Sequence, residues 1–446
     1  MLASYVFYGW WDWRFLGLIV FSTLVDYTIG LALDRNESTT TRKALLWISI
    51  IVNIGLLGVF KYYNFFADNF VEAFTLLGQP IEPYTLNIIL PVGISFYTFQ
   101  TLSYTIDVYR RNLEPTSNFI SFAAFVCFFP QLVAGPIERA THLLPQFHSP
   151  RKFEYTKAVD GLRQILWGLF KKVVIADNCA QIANQAFDQY DTAPASFLVL
   201  GAIMFTFQIY GDFSGYSDIA IGTARLFGFD LMQNFAYPYF SRDIAEFWRR
   251  WHISLSTWFR DYLYIPLGGS RGGTALKVRN TFIIFLVSGF WHGANWTFII
   301  WGALNALYFL PLLLANKNRQ NLGVVAENSM LPSISELSKV LLTFALTVLA
   351  WIFFRATSVT HAIQYLNGIC ADTILVRPYL EPFTYILFAL IAVFVLLEWL
   401  GRRDKFALET LGFGWPKPIR LGFYFVLTIA VFLLGGTQQT FIYFQF

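Results

Sequence analysis

Charged side chains are scarce in this sequence of 446 residues. Aspartate, glutamate, lysine and arginine make up 13% of it, about half the share that is usual in soluble globular proteins. Hydrophobic residues account for 56% and aromatic residues for 19%, and many lie in apolar blocks of about 16–25 residues, long enough to cross a hydrocarbon core of about 30 Å. This composition argues against a large soluble protein and predicts a chain that crosses a lipid bilayer several times.

Cysteine is also rare, and its spacing excludes two further classes. Cys127, Cys179 and Cys370 lie far apart, so they form neither a disulfide framework nor a metal-binding pattern. The five histidines show no metal spacing either, and we therefore expect no metal site. The net charge of +4 is small, and the basic residues sit in short loops, where they set the orientation of membrane spans. Nucleic acid is not an expected partner.

The apolar blocks predict an all-α protein with about ten to twelve helical elements in one membrane domain over residues 1–446. The predicted elements are residues 15–33, 44–60, 86–102, 119–134, 162–175, 197–210, 213–227, 282–314, 340–354, 385–400 and 421–434. Segment 282–314 is too long for one straight span and short for two full ones. No cleavable signal peptide is evident before the aromatic residues near the N-terminus.

Residues 230–305 concentrate the polar groups that the rest of the chain avoids. Within this island, Trp248, Trp251 and Trp258 alternate with arginines, including Arg249 and Arg250, at spacings that can share one helix face. The pattern predicts an amphipathic helix at the membrane interface with snorkelling arginines; substrate binding by individual arginines is the alternative. The basic residues of 242–279 predict that this stretch lies on the cytoplasmic side.

A glycine-rich run at residues 268–273 follows in the island. It lacks the lysine and the spacing of a nucleotide-binding phosphate loop. We interpret it as a tight turn beside the membrane, with contact to a phosphate-bearing donor as the alternative.

A single histidine, His292, stands in the strongly apolar stretch 287–296. An ionisable group at membrane depth is costly and usually faces a protein interior or a water-filled cavity. Gly289 and Gly293 flank it and permit close helix packing or a break in the helix. Histidine is a natural general base near neutral pH; the alternative is a structural hydrogen bond. His142, His148 and His361 are expected to be solvated or structural.

Four stretches of the chain resemble the membrane-bound O-acyltransferase (MBOAT) family, and within it the bacterial alginate O-acetylase branch. The stretches are Phe247-Trp248-Arg249-Arg250-Trp251-His252-Ile253-Ser254-Leu255-Ser256, Arg260-Asp261-Tyr262-Leu263-Tyr264-Ile265-Pro266-Leu267-Gly268-Gly269, Phe290-Trp291-His292-Gly293-Ala294 and Phe129-Pro130-Gln131-Leu132-Val133-Ala134-Gly135-Pro136-Ile137. The closing residues 441–446 are similar to that branch as well. An additional apolar span usually precedes the N-terminal aromatic cluster in that branch, whereas this sequence starts almost at the cluster.

The resemblance implies a helical membrane fold around a funnel or tunnel, in the inner membrane of a bacterium. It implies an acetyltransferase that moves acetyl from a cytoplasmic thioester, acetyl-CoA, toward hydroxyls of an exported polysaccharide such as alginate, with no bound cofactor and with a periplasmic acetyltransferase as partner protein. His292 matches the catalytic histidine of the family, and His252 matches its second polar position.

These matches define a candidate site. We expect His292 to be the base and His252 to orient the acceptor or to stabilise the oxyanion. The expected substrate-binding residues are Trp291, Trp251, Asn295, Arg249, Arg250, Asp261 and Arg271. Three alternatives stay open: an acceptor that is teichoic acid or another cell-wall polymer, a lipid or acyl transporter, and an export-complex scaffold without chemistry.

Overall fold

A computed structural model describes residues 1–79, 81–82, 84–87 and 89–442. These residues form helices and turns, with no strand among them, which confirms the predicted all-α class. The chain divides into two compact units, the first made of Met1–Lys152 with Gly228–Met232 and the second of Phe153–Phe227 with Gln233–Phe446.

The described residues of the first unit form eight α-helices. They are α1 (Leu2–Gly9), α2 (Leu16–Arg35), α3 (Thr39–Leu57), α4 (Tyr63–Leu76), α5 (Ile94–Tyr109), α6 (Phe119–Val126), α7 (Phe129–Leu132) and α8 (Ala140–His148), with a 3₁₀ turn at Trp13–Phe15 and a π turn at Gly58–Tyr62.

A buried carboxylate joins three helices of this unit. Asp26 on α2 accepts hydrogen bonds from Ser49 and Asn53 on α3 and from Thr105 on α5. Because a polar group in an apolar interior must find its partners within the protein, these bonds fix the mutual register of the three helices. The cluster is architectural.

The second unit forms eleven α-helices in its described part, up to residue 442, and carries most of the polar island. They are α9 (Tyr155–Leu169), α10 (Asp177–Asp188), α11 (Ala195–Leu226), α12 (Ile244–Arg250), α13 (Ile253–Phe259), α14 (Thr274–His292), α15 (Trp296–Leu314), α16 (Ile334–Arg355), α17 (Val359–Ile369), α18 (Pro382–Leu400) and α19 (Lys417–Leu433). The π turns Phe170–Ala176 and Arg260–Tyr264 and the 3₁₀ turns Pro238–Phe240 and Asp372–Leu375 complete it.

Six helical segments in the described part of the chain are long and apolar enough to cross a membrane, which confirms a multi-pass membrane protein. They are Trp13–Arg35, Thr39–Leu76, Ala195–Leu226, Trp296–Leu314, Ile334–Arg355 and Pro382–Leu400.

Two predicted elements of the first unit have the wrong bounds. The helix predicted at 86–102 begins only at Ile94, after Gly93 in the left-handed region (φ 76°). The helix predicted at 119–134 is two short helices, α6 and α7, because Pro130 opens the second one and cannot continue the first.

The two elements predicted at 197–210 and 213–227 are instead one helix, α11, of 32 residues. The polar residue between them, Asp212, does not break the helix because Lys172 pairs with its carboxylate at 2.7 Å. Helices α9 and α11 approach closely through facing glycines: a Cβ on Gly161 would lie 2.7 Å from the carbonyl oxygen of Gly222, and one on Gly222 would lie 2.5 Å from that of Gly161.

Candidate active site

A break between α14 and α15 positions His292. The segment predicted at 282–314 is two helices, and His292 is the last residue of the first. The chain turns through extended backbone at Gly293 to Asn295, whose side chain accepts a hydrogen bond from Thr297 N–H and caps α15. A Cβ on Gly293 would lie 2.1 Å from the ring of Phe298, so the turn requires glycine.

Aromatic rings surround the imidazole of His292, which is buried. Its ring centroid lies 5.1 Å from that of Trp301 on α15 and 5.2 Å from that of Phe354 on α16. The adjacent Trp291 is 5.0 Å away. Such walls exclude bulk water from the imidazole, and a water-excluding site limits hydrolysis of a reactive acyl donor.

His252 lies in the turn between α12 and α13, outside the candidate spans. The amphipathic helix predicted across Trp248–Trp258 is therefore two short helices. His252 has left-handed backbone angles (φ 44°, ψ 55°), and its Nδ1 lies 3.0 Å from Oδ1 of Asn234. Burial lowers the pKa of His252 to about 3, so this imidazole is neutral at physiological pH.

The indole ring of Trp291 contacts both predicted histidines. Its ring centroid is 6.0 Å from that of His252 and 5.0 Å from that of His292. The two signatures, which lie about forty residues apart in the sequence, therefore meet at one indole.

Trp251 belongs to the same aromatic packing. Its ring lies 5.0 Å from Trp351 on α16, and Trp351 stacks on Trp301 at 5.6 Å, which in turn contacts His292. We call Trp251, Trp291, Trp301, Trp351 and Phe354 the aromatic cluster. Trp251 and Trp291 belong to the two signature motifs, and the other three residues lie on α15 and α16. Together they make an apolar wall beside His292.

The two predicted substrate-binding arginines of α12 bind protein groups. Arg249 donates to the carbonyl oxygens of Asn318 and Asn321 at 2.8 and 2.9 Å. Arg250 donates to the carboxylate of Glu246 at 2.9 Å and to the carbonyl of Gly323 at 2.9 Å. Both arginines thus hold the 318–323 loop against α12, and a role in substrate binding stays a prediction.

The remaining predicted residues lie at three places, namely the π turn Arg260–Tyr264, the glycine-rich turn and the N-terminus of α15. Asp261 pairs with its neighbour Arg260 at 2.7 Å, and Arg271 is exposed in the glycine-rich turn. That turn was expected, and Gly268, Gly269, Gly272 and Gly273 all have positive φ there. Asn295 donates to the carbonyl of Thr357 at 3.0 Å in addition to capping α15. Substrate contacts by these three residues stay predictions.

Two residues of the site escaped the sequence analysis. Glu246, which is fully buried, neutralises both Arg242 and Arg250 at 3.0 and 2.9 Å; its spacing of four residues from each arginine was an available signal. Asn234, also fully buried, binds His252 from 18 residues away, and no local pattern marks it.

Fold and site together define a multi-pass helical membrane protein with two buried histidines on one aromatic wall. The family model for the membrane-bound O-acyltransferase family matches residues 7–324. The chain belongs to this family, and it is an O-acyltransferase.

Curated relatives agree with the predicted branch. The chain is 45% identical over 365 residues to a probable alginate O-acetylase of Pseudomonas aeruginosa, covering 81% of this chain and 67% of that protein. It is 39% identical over 471 residues to a probable alginate O-acetylase of Pseudomonas putida, covering 100% and 93%. It is 38% identical over 394 residues to a peptidoglycan O-acetyltransferase of Helicobacter pylori, covering 82% and 72%.

Proposed function

We propose that this protein is an O-acetyltransferase that modifies hydroxyls of an exported polysaccharide, with alginate as the first candidate acceptor. The observation that carries the proposal is the meeting of His252 and His292 at Trp291 in a chain of an O-acyltransferase family. The names of the two Pseudomonas relatives support alginate as the acceptor. The Helicobacter relative supports the second candidate, a cell-wall polymer.

The proposed reaction needs one base and one polarised carbonyl. His292 takes the proton of the acceptor hydroxyl as its oxygen attacks the carbonyl carbon of the acetyl thioester. The C–O bond forms, the C–S bond breaks, and the proton passes from His292 to the leaving thiolate. His252 orients the acceptor or stabilises the oxyanion, while the aromatic cluster keeps water out.

We propose acetyl-CoA, arriving from the cytoplasm, as the donor. The support is the basic stretch 242–279, which the positive-inside rule assigns to the cytoplasmic side. Arg271 is an exposed cation of this stretch, whereas Arg249 and Arg250 already have protein partners. A guanidinium suits the phosphates of such a donor.

We propose that the protein acts in the inner membrane of a bacterium and that residues 1–446 form one membrane domain. A polymer acceptor on the far side of the bilayer calls for a second protein, and we propose a periplasmic acetyltransferase as that partner. Six candidate spans support a multi-pass location.

The test is release of free CoA from radiolabelled acetyl-CoA by purified protein in lipid, with and without polysaccharide and partner. His292→Ala should lower acceptor-dependent release at least about 100-fold, the usual contribution of a general base, while its thermal melting in detergent stays close to that of the wild type. Alginate and peptidoglycan fragments run in parallel decide the acceptor. Equal release by wild type and a folded variant would contradict the assignment of His292.

A further inference from the structure

The side-chain oxygen of Asn234 contacts three polar groups, one on His252 and two on Ser254. Its Oδ1 lies 3.0 Å from Nδ1 of His252, accepts from the hydroxyl of Ser254 at 2.9 Å and accepts from the N–H of Ser254 at 3.3 Å. The side chain is fully buried, so water does not compete for these bonds.

The backbone N–H of Ser254 determines the orientation of the Asn234 amide. The N–H of Ser254 is only a donor, so the atom that faces it must be the oxygen. On the opposite side, Nδ2 of Asn234 donates to the hydroxyl of Ser217 on α11 at 3.1 Å. The Ser217 hydroxyl could pair with either end of the amide, so the donor N–H of Ser254 is the contact that sets the orientation.

The tautomer of His252 follows from this orientation. An amide oxygen only accepts, so Nδ1 of a neutral His252 must carry the proton. The other ring nitrogen, Nε2, then has a lone pair and no proton. A neutral His252 in this state accepts a hydrogen bond at Nε2 and cannot donate one there.

Two backbone hydrogen bonds also hold residues 234–236 against the turn that carries His252. The N–H of Ile253 donates to the carbonyl of Asn234 at 2.9 Å, and the N–H of Ala236 donates to the carbonyl of Arg250 at 3.0 Å. These two bonds flank His252, whose left-handed backbone (φ 44°) is unfavourable for a residue other than glycine. Phe213 on α11 packs edge-on against the imidazole at 4.7 Å, which limits rotation of the ring.

We propose that Asn234 is a positioning residue that fixes His252 as the Nδ1–H tautomer, so that Nε2 accepts a hydrogen bond from a hydroxyl of the acceptor sugar. This proposal rests on the proposed function. It also decides between the two roles left open for His252, because oxyanion stabilisation requires a donor and this nitrogen is an acceptor.

The test combines magic-angle-spinning NMR of ¹⁵N-histidine protein in lipid with kinetics of the full chain. The protein has five histidines, and subtraction of the His252→Gln spectrum identifies the His252 signals. We expect the Nδ1–H form in the wild type and in Asn234→Asp, which keeps an acceptor oxygen. Asn234→Leu should show a substantial Nε2–H population, with kcat/KM for the acceptor lower by about 10–100-fold, the range found when the hydrogen-bond partner of a metal-ligating histidine is removed.

Asn280→Leu is the matched control. Asn280 is another fully buried asparagine of the same unit, and it donates to the carbonyls of Leu267 and Gly269 rather than to a histidine. Its loss should lower the melting temperature and leave the His252 tautomer unchanged.

The spectra and the rates separate the possible failures. A wild-type Nε2–H tautomer, or an unchanged tautomer in a folded Asn234→Leu protein, would overturn the positioning role. A changed tautomer with unchanged acceptor kinetics would overturn the contact between Nε2 and the acceptor. Absence of acetyl transfer by the wild type on any acceptor would instead contradict the proposed function, while the tautomer in the spectrum would still report on Asn234.

Discussion

At the scale of single residues, burial decides the protonation of His252. Its imidazole lies among Phe213, Phe235 and Trp291, which offer no counter-charge, so burial lowers its pKa to about 3. In the unfolded chain the same group titrates near about 6.5. At a pH between these two pKa values, His252 is protonated in the unfolded chain and neutral in the folded protein.

The free energy of unfolding should therefore fall as the pH falls below about 6.5. Well below that pH, His252 lowers the free energy of unfolding by about 1.4 kcal/mol for each pH unit of acidification. Above that pH it has no such effect. Thermal melting at pH 7.5 and pH 5.5 in detergent measures the change. His252→Gln is the comparison, because it removes this group alone; an equal pH-dependence in both proteins would contradict the burial argument.

Glu246 is the second residue whose environment leads to a prediction. It is fully buried between Arg242 and Arg250. Its neutralisation removes the carboxylate that Arg250 pairs with and leaves Arg242 with only the longer pair to Glu336, at 3.5 Å. Removing one partner of a buried ion pair typically costs about 3–5 kcal/mol. We expect Glu246→Gln to lower the free energy of unfolding by about that amount, as measured by thermal or denaturant unfolding in detergent.

Glu154→Gln is the control for this change. Glu154 pairs with Lys157 at 2.7 Å, with both side chains more than half exposed, and exposed pairs contribute under about 1 kcal/mol. Equal destabilisation by the two substitutions would mean that Glu246 is not a buried counter-ion.

At the scale of elements, the break between α14 and α15 determines where His292 points. The chain has room for the turn only because residue 293 has no side chain: a Cβ there would collide with the ring of Phe298 at 2.1 Å. Phe298 also packs against Phe354, which contacts His292. A displacement of Phe298 would therefore reach the imidazole.

Gly293→Ala should cost about 1–3 kcal/mol of stability through overpacking and lower kcat at least about tenfold through misplacement of His292. Melting and acceptor-dependent CoA release measure the two effects. Gly422→Ala on α19 is the matched control, since nothing lies within 4 Å of a Cβ there and alanine favours a helix. Wild-type kinetics in Gly293→Ala would contradict the dependence of His292 on this turn.

At the scale of the whole molecule, the basic residues of the polar island differ in what they contact. Arg242, Arg249 and Arg250 donate to protein groups of the second unit. Arg271 is exposed in the glycine-rich turn. A soluble, polyanionic donor would meet such an exposed cation first.

Arg271→Gln should raise KM for acetyl-CoA several-fold, about fivefold for a contact of about 1 kcal/mol, and weaken the dependence of KM on salt. Initial rates of CoA release at two salt concentrations measure both quantities. Lys417→Gln is the control, since it removes an exposed positive charge outside the signature region. Equal KM values for Arg271→Gln and the wild type would remove Arg271 from the donor site.

The apolar blocks and the paired signatures were sufficient for the helical class, the membrane location, the family and the two histidines. These properties follow from local patterns, because a span needs a certain length of apolar chain and a motif needs only neighbouring residues. Local patterns were misleading at element boundaries. Asp212 did not end α11, because Lys172 compensates its charge, and Pro130 divided a predicted span.

Thus the sequence alone determined the helical membrane class, the family and the candidate histidines, and only the tertiary structure decided which side chains meet them. The common wall at Trp291, the counter-ion Glu246 for two arginines and the contact between Asn234 and His252 arise from packing. The physical reason is that a buried polar or charged group needs a hydrogen-bond or ion-pair partner within the protein. The fold supplies that partner from elsewhere in the chain, and Asn234 and His252 are 18 residues apart.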